Sequence, residues 1–360
     1  MEMAQTPPSD PLSEPLPPWL EPVWQRLARA HHQARLGQAL LITGPLGVGK
    51  RRLAERLAGL LLCRADDLDA RPCGLCRECV LLRAGHHPDH LLLAPDAEAA
   101  SAEIRAEQIR QLCARETLTP TRGAVKVLTL VPADAMNPFA ANSLLKTLEE
   151  PVASTVWVLV TEQPQRLSPT IRSRCQRVNL PVPAESAALP WLEARLAEQA
   201  KAPMPHAAPH AAHCLALAHG APFRALSLAT TEALALRQRL IDDIMGVARG
   251  EHDPLAVANE WQRLDALAVL AAMTDWLTDL LRVAVDPTLT RLINPDARRA
   301  LNALAERIEP AAGHRLLQRL LQARAIVEAP VNKQLLFEAL LVRWAQLAWM
   351  RGHNRFRAEV

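Results

Sequence analysis

Two groups of residues have the types and spacing to do chemistry. Residues 44–50 read Gly-Pro-Leu-Gly-Val-Gly-Lys, in which Gly44, Gly49 and Lys50 match a phosphate-cradling loop and Gly47 adds a permissive position. Small residues let backbone N–H groups close around phosphate oxygens, and a following helix N-terminus and Lys add positive charge. Hydrolysis needs Mg²⁺ as well, held by a Ser or Thr after the Lys and by an acid at the end of a neighbouring strand, because the metal neutralises charge that develops during phosphoryl transfer. Position 51 is Arg, which cannot ligate a cation. The apolar run 127–131 ends in Pro132-Ala133, and Asp134 comes two residues late, where it is expected to turn away into a loop. With both parts of the Mg²⁺ site degenerate, hydrolysis is expected to be very slow or nil. Weak ATP binding through Lys50 and the loop amides stays open.

The second group is Cys63, Cys73, Cys76 and Cys79, spaced C-x9-C-x2-C-x2-C. Paired C-x2-C turns present thiolates together, and four thiolates complete a tetrahedral zinc shell with no open position. Structural Zn²⁺ is the expectation, with free thiols as the alternative. His86 and His87 follow the cluster and are expected to be ordinary surface or core residues, as Cys113 and Cys214 are expected to pack in helices.

These groups need a scaffold. Apolar runs at 39–43, 90–94, 125–131, 155–161 and 176–180 alternate with helical patterns near 50–62, 104–115 and 140–150. Short buried strands alternating with helices imply a parallel sheet covered on both faces. After residue 180 the β-branched runs stop and Pro181 and Pro183 open a linker. The remainder reads as helical, interrupted at Pro203, Pro205 and Pro209, with Leu316, Leu317, Leu320 and Leu321 at helical spacing. The expected organisation is a disordered leader over 1–18, a P-loop domain over 19–180 with a zinc-binding insertion at 63–79, a helical unit over 181–231 and a second helical domain over 232–360.

Composition sets limits. The 360 residues carry a formal charge of +3, too weak to argue nucleic-acid binding by itself. The start of the chain lacks the basic residues and apolar run of a secretory signal, and no uninterrupted apolar stretch reaches membrane length, so a cytoplasmic location with no membrane contact is expected.

Three segments together resemble the delta prime subunits of bacterial DNA polymerase III, which are AAA+ clamp-loader proteins. They are the phosphate loop with the four-Cys insertion behind its helix; the run 141–151, Ala-Asn-Ser-Leu-Leu-Lys-Thr-Leu-Glu-Glu-Pro; and the run 167–175, Leu-Ser-Pro-Thr-Ile-Arg-Ser-Arg-Cys. His87-Pro88-Asp89 and Asn332-Lys333-Gln334-Leu335-Leu336 are similar to the family too. The resemblance implies an α/β AAA+ P-loop module with a zinc-binding insertion, a small helical lid over 181–231 and an all-α collar over 232–360. It implies partners: the delta and gamma or tau subunits, with the sliding clamp and primer–template DNA reached through the complex. It also implies that Arg174 acts as an arginine finger in trans, stabilising charge on the phosphoryl group transferred at a neighbour's site. A surface salt bridge is the alternative for Arg174, and Arg172 is a second candidate contact.

The departures from the catalytic relatives point the same way. Those relatives keep Ser or Thr after the Lys, Asp-Glu at the strand end and a lid Arg in a Gly-x-x-Arg setting. Here Gly220-Ala221-Pro222-Phe223 puts Phe in that slot, with Arg224 one residue late. The implied function is a non-hydrolysing loader subunit, with no intrinsic ATPase or polymerase activity, inside a DNA-directed DNA polymerase holoenzyme. The competing readings are an active clamp-loader-type ATPase and a zinc-ribbon nucleic-acid-binding module.

Overall fold

Runs of leucine and β-branched residues, broken by glycine and proline, build the sheet of a computed structural model that describes residues 12–95, 103–199, 211–229, 231–327 and 331–349. The strands are β1 (Ala39–Thr43), β2 (His90–Leu93), β3 (Lys126–Leu130), β4 (Thr155–Thr161) and β5 (Gln176–Asn179). All pair in parallel, in the order β2-β3-β4-β1-β5. Register sets Thr43 opposite both Thr161 and Asn179, so three strands end level beside the phosphate loop.

The first helices are α1 (Glu21–His32), α2 (Lys50–Leu62), α3 (Arg77–Arg83), α4 (Ala106–Glu116), α5 (Pro138–Glu149) and α6 (Pro169–Arg174). Strand alternation sends Leu40, Ile42, Val158 and Val160 to one face, where they pack with Trp24 of α1 and with Leu53 and Leu57 of α2. Leu41, Leu128, Trp157 and Leu159 go to the other face, against Ile109 and Leu112 of α4, Leu144 and Leu148 of α5 and Ile171 of α6. Every residue of β3 and β4 is buried, the pattern of a sheet covered on both sides. The expected α/β P-loop module is present.

The leader expectation is corrected for residues 12–18; residues 1–11 lie outside the described residues. Leu12 and Leu16 are buried, Leu12 against Cys63 and Cys79. The cause lies on α2. Arg56 donates from Nη1 to the carbonyls of Leu12 and Glu14, both at 2.9 Å, and Arg52 pairs with Glu14 at 3.0 Å. A Cβ at Gly59 would stand 2.6 Å from Leu12 Cδ2, so this glycine leaves the space that Leu12 fills.

The chain divides into two compact units, 1–191 with 221–223, and 192–220 with 224–360. The first therefore runs past the expected boundary at 180, because Trp191 of α7 (Glu185–Gln199) and Phe223 stack with Trp19 at centroid distances of 5.2 and 6.2 Å. The expected breakers Pro203, Pro205 and Pro209 lie outside the described residues.

The second unit is helical: α8 (Ala211–Leu217), α9 (Pro222–Leu228, shared between the units), α10 (Thr231–Arg249), α11 (Pro254–Trp261), α12 (Ala266–Val285), α13 (Arg298–Ala305), α14 (Pro310–Ile326) and α15 (Lys333–Trp349). Asp253 and Asp265 cap α11 and α12 by accepting from backbone N–H groups of their first turns. Trp261, Trp276, Phe337 and Trp344 fill the core, and Trp344 Nε1 donates to the Ile244 carbonyl at 2.8 Å. No helix among the described residues is long and apolar enough to cross a membrane.

Leu12→Ala is expected to cost about 2–3 kcal/mol of stability, as deletion of a buried leucine side chain does. A denaturant midpoint identical to that of the parent chain would show that the segment before α1 is not part of the folded core.

Candidate functional site

The phosphate loop joins β1 to α2. Gly44 has φ +152°, and a Cβ there would lie 2.2 Å from the Leu180 carbonyl oxygen. Gly49 has φ +102°, and a Cβ there would meet Leu20 Cδ1 and Phe223 Cε2, each at 2.9 Å. Both positions thus demand glycine for conformation and for space. The crowding comes from the Leu180 backbone at Gly44 and from the Leu20 and Phe223 side chains at Gly49. Phe223 donates its backbone N–H to the Gly47 carbonyl at 2.9 Å, and Trp19 Nε1 donates to the Val48 carbonyl at 2.8 Å. Phe223, the residue in the lid-arginine slot, stacks on Trp191 at 4.8 Å and lies against the loop.

Lys50 is also occupied from within. Its ammonium donates to the Pro45 carbonyl at 2.6 Å and stands 3.6 Å from the Glu162 carboxylate, with its side chain only 5% exposed. Burial pushes its pKa down, against the opposing pull of Glu162 and Asp134. Arg51 points along its own helix instead, donating from Nε to Glu55 at 3.1 Å.

Asp134 corrects an expectation. It does not turn away. Residues 133–135 form a single 3-10 turn after β3 that carries the carboxylate back over the sheet end. There it is buried and accepts from the Thr161 hydroxyl at 2.5 Å and from the Glu162 N–H at 3.2 Å. An acid is therefore present beside the loop, but its Oδ1 is engaged by β4. Glu162 escaped the sequence reading; its only signal was its place directly after a strand ending level with β1.

The four cysteines converge. Their sulfurs all lie within 4.8 Å of one another, with Cys63 3.5 Å from Cys73 and 3.9 Å from Cys76. Zinc–sulfur bonds of 2.3 Å in a tetrahedron place sulfurs about 3.8 Å apart, so the cluster can hold a metal ion. Burial pushes the Cys73 thiol up, but N–H groups of Cys76 and Leu75 and the neighbouring thiols outweigh it and bring the pKa to about 6. Burial dominates at Cys79 and Cys63, raising both.

A polar network ties this cluster to the sheet. Glu78, one residue before Cys79, accepts two hydrogen bonds from Arg122, both 2.9 Å, and lies 3.0 Å from His87 Nε2. The Arg122 bonds hold its carboxyl below the usual range. His87 is buried, and its Nδ1 accepts from the Asp89 N–H at 3.0 Å. Asp89 in turn accepts from the backbone N–H groups of Thr121, Arg122 and Gly123 at 2.6, 2.7 and 3.0 Å. The His87-Pro88-Asp89 run is thus a brace between the cysteine segment and the turn before β3.

Arg174 ends α6, one residue before buried Cys175. Its Nη2 donates to Glu149 at the end of α5 and its Nη1 to the Thr170 carbonyl at 3.2 Å, with 32% of the side chain exposed. Arg172, two residues earlier, has a buried Nε without a hydrogen-bond partner. Cys214 is fully buried, and Cys113 is half-buried on α4.

Two family models match the chain: "DNA polymerase III, delta subunit" over residues 19–184, and "DNA polymerase III, delta subunit, C terminal" over 231–346. Delta prime of DNA polymerase III from Pseudomonas aeruginosa is 36% identical over 333 residues, 92% of this chain and 97% of that protein. The chain belongs to the DNA polymerase III delta prime family. The Escherichia coli delta prime subunit is 30% identical, covering 91% of this chain and 94% of its own length. Among solved structures, a gamma subunit-related protein from Thermotoga maritima covers 90% of this chain and 99% of its own at 18% identity, with a TM-score of 0.44. Family membership covers both the sheet unit with its loop and cysteines and the C-terminal helices.

Proposed function

We propose that this chain is a clamp-loader subunit that does not hydrolyse ATP and lends Arg174 to the ATP site of a neighbouring gamma or tau subunit. The observation that carries the reading is the contrast between its two phosphate-directed cations. Lys50 is buried, bonded to its own loop and faced by Glu162 and Asp134. Arg174 sits a third exposed at a helix end, its Nη2 donating to Glu149 and its Nη1 to the Thr170 carbonyl. A guanidinium so placed keeps its charge and can exchange Glu149 for a phosphoryl oxygen.

In this reading the complex also contains delta, and it loads the sliding clamp onto primed DNA in the cytoplasm. Residues 181–231 serve as the lid and 232–360 as the collar. The exposed leucines 321 and 335 and Ile326, all on α14 and α15, suit helix packing against other subunits. Cys63, Cys73, Cys76 and Cys79 hold a structural Zn²⁺. The ion cross-links α2 to α3 and leaves no coordination position for a reaction, so its contribution is to folding.

Arg174→Ala is expected to leave the chain folded and to cut turnover at the adjacent site by about a thousandfold, the range for an arginine finger. The ATPase rate of the reconstituted complex reads this out; an undiminished rate would remove the finger role. Elemental analysis of the native chain should find about one zinc per chain, and replacing Cys73 by Ser should abolish it. A fully folded, zinc-free native preparation would contradict the metal assignment.

A further inference from the structure

The α14–α15 pair has two unlike ends. The apolar side chains Ile326 and Leu335 are exposed near the 327–332 connection, whereas Leu321, Val342 and Trp349 are exposed beside the far half of the pair. At the far end the two helices form a groove of about 470 Å³. Arg315, Arg319 and Gln322 from the first part of α14 and Arg343 and Gln346 from the last part of α15 line it together, as in an antiparallel pair. Leu316 and Leu347 make its buried floor, and Gln318 adds a third amide to its wall.

Its charge is one-sided. Over its 17 residues α14 carries Arg315, Arg319 and Arg324 and no acid. The one acid of α15, Glu338, accepts from Gln334 near the other end of the hairpin. Among the described residues no Asp or Glu lines the groove, and Arg315, Arg319 and Arg343 are all exposed. None of the three has an ion-pair partner among the described residues. Three like charges converging without a counter-charge repel one another, which favours an anionic occupant. In sequence the basic character continues past α15, with Arg351, Arg355 and Arg357.

We propose that this groove binds the phosphodiester backbone of a nucleic-acid strand. Arg315 and Arg319 are one helical turn apart, about 6 Å along the helix, so each can take a separate phosphate, while Arg343 approaches from the opposite wall. The three glutamines supply neutral donors and acceptors for sugar and phosphate oxygens. A protein partner is the poorer fit, because protein interfaces are anchored by aromatic and large aliphatic side chains, and among the described residues the apolar lining is limited to Ala312 and the buried Leu316 and Leu347. The site belongs to the helical unit alone and does not depend on the ATPase reading above.

The test measures binding of the full-length chain to a fluorescent oligothymidylate across a salt series. The triple variant Arg315→Ala, Arg319→Ala, Arg343→Ala is compared with a charge-matched control, Arg29→Ala, Arg110→Ala, Arg239→Ala. Loss of three phosphate contacts is expected to weaken binding about tenfold at low salt and to flatten the slope of log K against log salt by about 2. The control should keep the parent affinity and slope, and all chains the parent melting midpoint, since every altered residue is exposed. Competition by unlabelled duplex as well as by single strand supports the backbone assignment. Equal losses in both variants, an unchanged triple variant, or displacement by polyglutamate with no competition from nucleic acid would overturn it.

Discussion

The placement of Lys50 governs the rest. A lysine that ends a phosphate loop normally meets its charge partner in a nucleotide. Here the ammonium is buried between the Pro45 carbonyl and the Glu162 carboxylate, with Asp134 close by. Leaving a buried ammonium unpaired would cost several kcal/mol, which the Pro45 carbonyl and the Glu162 carboxylate offset. The carbonyls of Val48 and Gly47 accept from Trp19 and Phe223, and Gly49 is packed against Leu20 and Phe223. The loop also serves as a packing joint between β1, α2 and the aromatic residues over them.

The same principle of internal satisfaction appears around the cysteines. The segment between α2 and β2 is too short to build a core, and Leu12 is the main apolar residue that covers it. Its attachment comes from polar contacts instead: Glu78 held by Arg122 and His87, and Asp89 seated on three backbone N–H groups. Charged hydrogen bonds of this kind fix orientation more sharply than apolar contacts. They hold α3, and with it Cys79, at a fixed place against the sheet.

Much of this was legible in the residues. The runs 39–43 and 155–161 gave β1 and β4 to the residue, because strands buried on both faces are unbroken apolar runs, and α2 was bounded by Gly49 and the loss of leucine period. The cysteine cluster followed from spacing alone. What escaped were contacts made only in three dimensions. Nothing in sequence brings Phe223 and Trp191 to Trp19, or Glu162 to Lys50. Asp134 was misread because a single 3-10 turn reverses the chain within three residues, and counting from the strand end does not reveal that. Residues 12–18 were misread because proline and acid content masked Leu12 and Leu16, which are spaced to meet α2.

We propose that this loop, with Arg51 where a metal-binding hydroxyl would stand, turns over no nucleotide. Steady-state ATP hydrolysis by the isolated chain with Mg²⁺, compared with Lys50→Ala, addresses it directly. The account predicts no turnover above background in either chain. Magnesium-dependent hydrolysis at ordinary ATPase rates that vanished in Lys50→Ala would contradict it.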